Sequence, residues 1–215
     1  MQVLEHIQHA EFFIKEQLGR DFSDGHDFEH TMRVVRSARN LCSQIPEADV
    51  NIVTLAALLH DVARPLESAS NGSVDHAAAG AGIAADFLTR SGLDPDNTAR
   101  VAQCIAEHRF RSGCKPSSIE AMILYDADKL DSLGAVGIAR ALFFAANVGA
   151  KLHNSKDEAL NSSAYSINDT AYREYLVKLS KIPEKLFTAP ARAIAEERAV
   201  FMEKFFHQLN SEFFQ

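Results

Sequence analysis

The chain has 215 residues, 47% of them apolar, enough to bury one domain-sized core without disulfide or metal staples. A formal net charge of −7 argues against a partner with a nucleic-acid backbone, but not against small anionic ligands, because one bound metal ion overrides the global sign locally. There is no signal peptide and no run of about 18 apolar residues, so no membrane partner is expected, and three cysteines without CxxC spacing fit a reducing cytoplasm.

The apolar spacing is helical almost throughout, and strand signals are nearly absent. Val3, Ile7, Ala10, Ile14 and Leu18 form a first stripe, stopped by Gly19. After the polar linker "RDFSDGHD", Asp27 is placed to cap a second helix with the stripe Thr31, Val35, Ala38, Cys42 and Ile45. Asp49 caps a third, with Ile52, Val53, Ala56 and Leu59 inward, and "RPLESASNGS" reads as a loop. Asp75 caps the fourth helix, "HAAAGAGIAADFLTR". Asp94, with Pro95 at the first helical position, opens a fifth reaching about His108. "RSGCKPSS" reads as a turn holding Cys114, and Cys42 and Cys104 as small core residues. "IEAMILYDADKLDSLG" and "AVGIARALFFAANV" are the sixth and seventh helices.

From about Gly149 to Asn168 the chain is polar and reads as a long loop. It is either a mobile lid, with Lys151, His153 and Asn154 offered to phosphate or base, or a solvated connector. Two more helical segments follow, "DTAYREYLVKLSKI" and "TAPARAIAEERAVFMEKFFHQLNSEFF". No repeat or composition shift divides the sequence, so a single all-α domain over 1–215, a helical bundle, is expected, with a homodimer as one possible assembly.

The chemistry is concentrated around Leu58-Leu59-His60-Asp61, where an apolar run ends in a histidine and an aspartate. A buried carboxylate is usually paired or bound to metal, because burying it alone costs several kcal/mol. His30 lies in the first turn of the second helix, His60 and Asp61 at the end of the third, and Asp128 within the sixth. Two imidazoles and two carboxylates form a donor set suited to Mn²⁺, Fe²⁺, Co²⁺, Ni²⁺, Zn²⁺ or Mg²⁺. Neighbouring helical residues diverge by about 100°, so His60 and Asp61 either grip one ion near a helix end or serve two adjacent ions. A zincin is excluded by the lack of HExxH, and a dinucleotide fold by the lack of strands and GxGxxG.

The ordered set "DFEHTMRVV", "LLHDVARP" and "YDADKLDSLGAVGIARAL" resembles the HD-domain metal-dependent phosphohydrolases. It is closer still to a bacterial subgroup of about this length, a likeness that reaches the tail "YLVKLSKI" and covers nearly the whole chain. The resemblance implies a helical bundle and a divalent metal held by His30, His60, Asp61 and Asp128, with Asp126 nearby. It also implies hydrolysis of a small phosphorylated substrate, commonly a nucleotide, by a metal-activated water.

Two-metal members have additional histidines between the HD pair and the last aspartate, and His76 and His108 fall in that interval. They are candidates for a second ion or for substrate. The alternative puts His76 in an exposed first turn and His108 at a helix end that favours imidazolium. Arg33, one turn beyond His30, pairs with a ligand carboxylate or holds phosphate. In relatives the segment with Lys129 and Asp131 helps hold substrate, although Lys129 equally fits a solvated helix position, and Arg64 and Lys151 are weaker phosphate candidates. His26 is structural or at the rim. Many members carry a Glu, Asp or Lys a few residues after HD. Here Arg64 stands there and Glu67 is the nearest carboxylate, which leaves the general base open. The catalytic candidates are Asp61, Arg33, His108 and Lys129. The expected substrate is a nucleoside tri- or diphosphate. The alternatives are a phosphodiesterase for a cyclic or signalling nucleotide and a non-catalytic nucleotide sensor.

Overall fold

Helix caps set most of the boundaries in the computed structural model, which describes residues 3–18, 27–109 and 115–214. The first helix is α1 (Val3–Leu18). Asp27 accepts a 2.7 Å hydrogen bond from the His30 backbone N–H and opens α2 (Phe28–Cys42). Asp49 caps α3 (Val50–Leu59) through the Asn51 and Ile52 N–H groups. After α4 (Arg64–Ala69), Asp75 caps α5 (His76–Arg90), and Asp94 followed by Pro95 opens α6 (Pro95–Glu107). Each such cap contributes about 1 kcal/mol. α7 (Ile119–Leu130), α8 (Gly134–Asn147), α9 (Lys156–Leu160), α10 (Ala171–Val177) and α11 (Ala189–Phe213) complete an all-α chain without strands among the described residues. None of these helices alone is long and apolar enough to cross a membrane.

The contacts form two compact units, residues 3–18 with 27–128, and residues 129–214. In the first unit α3 is central. Every residue from Ile52 to Leu59 is buried, as expected of a helix apolar on all sides, and it packs against α1, α2 and α6. The stripe Thr31, Val35, Ala38, Cys42 and Ile45 is buried as read from the sequence. Cys42 and Cys104 are free, buried thiols, and burial pushes them up to about 11 and about 12, so they are inert core residues. The first stripe also holds, with Ala10, Ile14 and Leu18 buried. Gly19, the linker including His26, and Cys114 lie outside the described residues.

Three segments differ from the sequence reading, two of them polar. "RPLESASNGS" contains α4, because Pro65 at the start of a helix gives up an N–H that would have no partner there anyway. The polar stretch 149–168 is built into the second unit instead of standing free. It contains α9, opened by a Ser155–Glu158 capping box. His153 is buried against Tyr172 and Phe213, with Nε2 2.9 Å from Asn210 Oδ1. Asn154 accepts from the Thr170 hydroxyl (2.8 Å) and donates to the Asn168 carbonyl (3.0 Å). Mean polarity hid these mutual hydrogen bonds. His153 and Asn154 are therefore committed to the fold and are not held ready for phosphate.

In the second unit α8 packs on α10 and α11. The turn into α8 needs glycine at Gly137, where a Cβ would lie 2.1 Å from the Ser132 carbonyl oxygen. The glycine of "LGAVG" is thus a packing requirement. The expected helix "DTAYREYLVKLSKI" stops at Val177 and continues as 3₁₀ turns over Leu179–Lys181 and Pro183–Lys185, the second starting at a residue without an N–H. Phe206 is 1% exposed and stacks on Tyr175 at 4.5 Å. Phe206→Ala should lower stability by about 3–5 kcal/mol in urea denaturation, with native helix content unchanged.

Candidate metal centre

Five helices of the first unit bring side chains to one buried region. His30 lies in the first turn of α2, His60 is the C-cap of α3 and Asp61 follows it. His76 opens α5, His108 is the C-cap of α6, and Asp128 lies in the last turn of α7. All six are buried, with Asp128 the most exposed at 8%.

Asp61 stands between two groups of donors. Its Oδ2 is 3.6 Å from His30 Nε2 and 3.4 Å from His60 Nε2, and Asp128 Oδ1 is 3.5 Å from His30 Nε2. Its Oδ1 is 3.4 Å from His76 Nε2 and 3.8 Å from His108 Nε2. The donor atoms of His30, His60 and Asp128 lie within 4.8 Å of one another, as do those of Asp61, His76 and His108.

The ring orientations fit a metal ion. His60 Nδ1 faces the Ala57 carbonyl at 2.8 Å, His108 Nδ1 the Ile105 carbonyl at 2.6 Å, and His76 Nδ1 the Glu67 carboxylate at 2.8 Å. Carbonyls and carboxylates only accept, which assigns the proton to each Nδ1 and a lone pair to each Nε2. His60 Nε2 is buried without a hydrogen-bond partner. His76 Nε2 and His108 Nε2 approach to 3.1 Å, a contact of two lone pairs that is unfavourable unless a cation or proton lies beside them. Burial, aided by Arg64, pushes His76 down to about 4. Burial, aided by His60, pushes His108 down to about 3. Both are neutral at physiological pH, the form that ligates metal. Imidazole and carboxylate together suit a borderline divalent ion in either group.

A charged network stands behind His76. Glu67 Oε2 accepts from His76 Nδ1 and, at 2.9 Å, from Arg64 Nη1, while Arg109 donates to Glu67 Oε1. Arg64 Nε donates to Asp61 Oδ1 at 3.0 Å. Arg109 Nη1 also comes within 2.9 Å of His76 Nδ1, a close contact of two N–H donors that both serve Glu67. Burial acts to raise the Glu67 pKa, but the Arg109 hydrogen bond and the charges of Arg64 and Arg109 outweigh it and hold the carboxyl below its usual range. Glu67 is therefore engaged by three neighbours.

Of the remaining expected residues, Arg64 joins this site through Asp61 and Glu67. Arg33 is half-buried one turn beyond His30, and Asp126 is buried on α7. His76 is 1% exposed, which overturns the exposed first-turn alternative, because its ring packs against His108 and Glu67. Lys129, Asp131 and Lys151 belong to the second unit. There Asp131 is buried in an ion pair with Arg140 at 2.8 Å, and Lys151 is exposed, 3.6 Å from Glu158. Arg109 was not singled out from the sequence. Its only signal was its place next to His108.

The HD domain family matches residues 27–133, the stretch that holds all six donors. Over 197 residues the chain is 36% identical to YpgQ, an uncharacterized protein of Bacillus subtilis, with 89% of this chain and 86% of that protein covered. This chain belongs to the HD-domain family. The crystal structure of B. subtilis YpgQ in complex with ADP matches this HD domain with a TM-score of 0.73 at 29% identity, over 96% of this chain and 97% of that one. An HD-superfamily hydrolase from Bacillus thuringiensis matches at 0.76 and 29%, over 99% and 98%. The chain is thus an HD-superfamily hydrolase, a class whose domains bind divalent metals.

The two depressed histidines set the pH response of the metal-free protein. In the unfolded chain they titrate near 6.5, in the folded one near 4 and near 3. Between those values the unfolded state binds more protons, so stability falls as pH drops below about 6.5. Each group contributes roughly 1.4 kcal/mol per pH unit. Chelated protein should show a clearly lower denaturation midpoint at about pH 5 than at about pH 7. Equal midpoints would contradict the burial of neutral imidazoles.

Proposed function

We propose that this HD domain hydrolyses a phosphoanhydride bond of a small nucleotide, a nucleoside tri- or diphosphate, with a metal-activated water. The observation that carries this reading is Asp61, a buried carboxylate whose two oxygens face the ring nitrogens of two donor groups. The ADP bound to the related YpgQ supports a nucleotide substrate.

His30, His60, Asp61 and Asp128 would hold the divalent ion, which when bound lowers the pKa of its water toward about 7 and draws charge from phosphoryl oxygens. On a six-coordinate ion, a set of four protein ligands leaves room for water and for phosphate. Asp61 orients the centre from its middle, with its charge partly balanced by Arg64. His108 presents Nε2 inward, aimed by its bond to Ile105, and is placed to ligate a second ion or to take a hydrogen bond from the water. Arg33, one turn beyond the ligand His30 on the same helix, supplies positive charge for phosphate oxygens.

His60→Ala and Asp61→Ala should lose bound metal, and kcat/KM should fall by more than about a hundredfold, while the helical circular dichroism is kept. Phosphate or pyrophosphate release from a nucleotide panel with Mn²⁺, Mg²⁺ and Co²⁺ is the activity readout. Full metal occupancy in Asp61→Ala by elemental analysis would contradict the assignment. Turnover of cyclic nucleotides alone would replace it with a phosphodiesterase.

A further inference from the structure

We infer that Arg64 makes the two donor groups unequal, so that the Asp61–His76–His108 group binds its cation more weakly and fills second. The inference rests on reading the cluster as a divalent metal centre and is independent of which nucleotide is cleaved.

Four side chains close a ring. Arg64 Nε donates to Asp61 Oδ1 at 3.0 Å, and Arg64 Nη1 donates to Glu67 Oε2 at 2.9 Å. That same Glu67 oxygen accepts a hydrogen bond from His76 Nδ1–H at 2.8 Å, and His76 Nε2 returns to Asp61 Oδ1 at 3.4 Å. The guanidinium is thus bonded to the very oxygen that the second group needs. A carboxylate oxygen can face an arginine and a metal together, but the charge it shares with one is partly withdrawn from the other. Arginine cannot shed its proton to make way, and two positive charges a few ångströms apart in a buried site repel strongly.

The first group starts from a better position. It has Asp128 as a carboxylate of its own, in addition to Asp61 Oδ2. The second has two imidazoles and shares Oδ1 with Arg64. Arg109 brings another positive charge to the His76 side, offset by Glu67 and, at 3.9 Å, by Asp75. Glu67 therefore favours the second cation by neutralising both arginines, while Arg64 opposes it. Removing each should act with opposite sign.

The experiment is equilibrium dialysis of chelated full-length protein against Mn²⁺ alone, with bound metal counted by elemental analysis. The wild type should show one tight and one weaker class of site, and His76→Ala should remove the weaker. Arg64→Met, which keeps the apolar stem, should tighten the weaker class by about tenfold or more and bring the two closer together. Arg64→Lys keeps the charge and should keep the wild-type spacing. Glu67→Gln should weaken the second class further while leaving the first in place, and this holds the inference testable if Arg64→Met does not fold by circular dichroism. Two equal classes in the wild type, an unchanged or weakened second class in Arg64→Met, or a tightened one in Arg64→Lys or Glu67→Gln would overturn the role of Arg64 and leave the metal centre standing. Loss of neither class in His60→Ala and His76→Ala, or no Mn²⁺ bound at all, would overturn the metal centre itself.

Discussion

A carboxylate that is 1% exposed cannot remain charged in an apolar core without partners, and Asp61 is such a carboxylate. It sits just past the end of α3, whose last eight residues are all buried. A charge within that helix would face hydrocarbon on every side. One step beyond its last turn, the chain can turn the Asp61 side chain toward donors from α2, α5 and α6. Arg64 answers one oxygen directly, and imidazoles stand around both. The central helix and the centre at its end therefore depend on each other. The helix holds Asp61 out of water, and the partners of Asp61 make its burial tolerable.

Helix ends do much of the positioning. His60 and His108 are the C-caps of α3 and α6, and each ring is aimed by the same local device, an Nδ1–H given to the carbonyl three residues back. Those carbonyls lie in the last turn of each helix, where regular intrahelical partners run out, and that of Ile105 also takes the His108 backbone N–H at 3.4 Å. Using them to orient an imidazole engages the backbone and fixes the tautomer at once. At the other polarity, Asp27 and Asp75 start the helices that carry His30 and His76. A cap placed for backbone reasons thus fixes where the histidine enters the core. His76 lacks a helix carbonyl behind it and takes Glu67 instead, which in turn requires Arg64 and Arg109. His76 is thus held by charged side chains, and His60 and His108 by local backbone geometry.

This division matches what could be read from the sequence. Asp27, Asp49, Asp75 and Asp94 announce helix starts because capping is local, and the helix written as "HAAAGAGIAADFLTR" runs from His76 to Arg90 as read. The order of His30, His60, Asp61 and Asp128 was legible because the surrounding motifs resemble a family. The burial of His76 was not, since it depends on His108, 32 residues away. Arg109 meets Glu67 across 42 residues, and His153 meets Asn210 across 57. No window of sequence contains such pairs. Polar composition also misled at 149–168, where Asn154 and Thr170 satisfy each other instead of water.

The account turns on Asp61 serving both donor groups. The most direct measurement is a crystal structure of the protein saturated with Mn²⁺, with anomalous data collected at the manganese edge. The account predicts two anomalous peaks, one among His30, His60 and Asp128 and one between His76 and His108, each in contact with a different oxygen of Asp61. A single peak that leaves His76 and His108 facing each other without metal, or a peak away from Asp61, would contradict it.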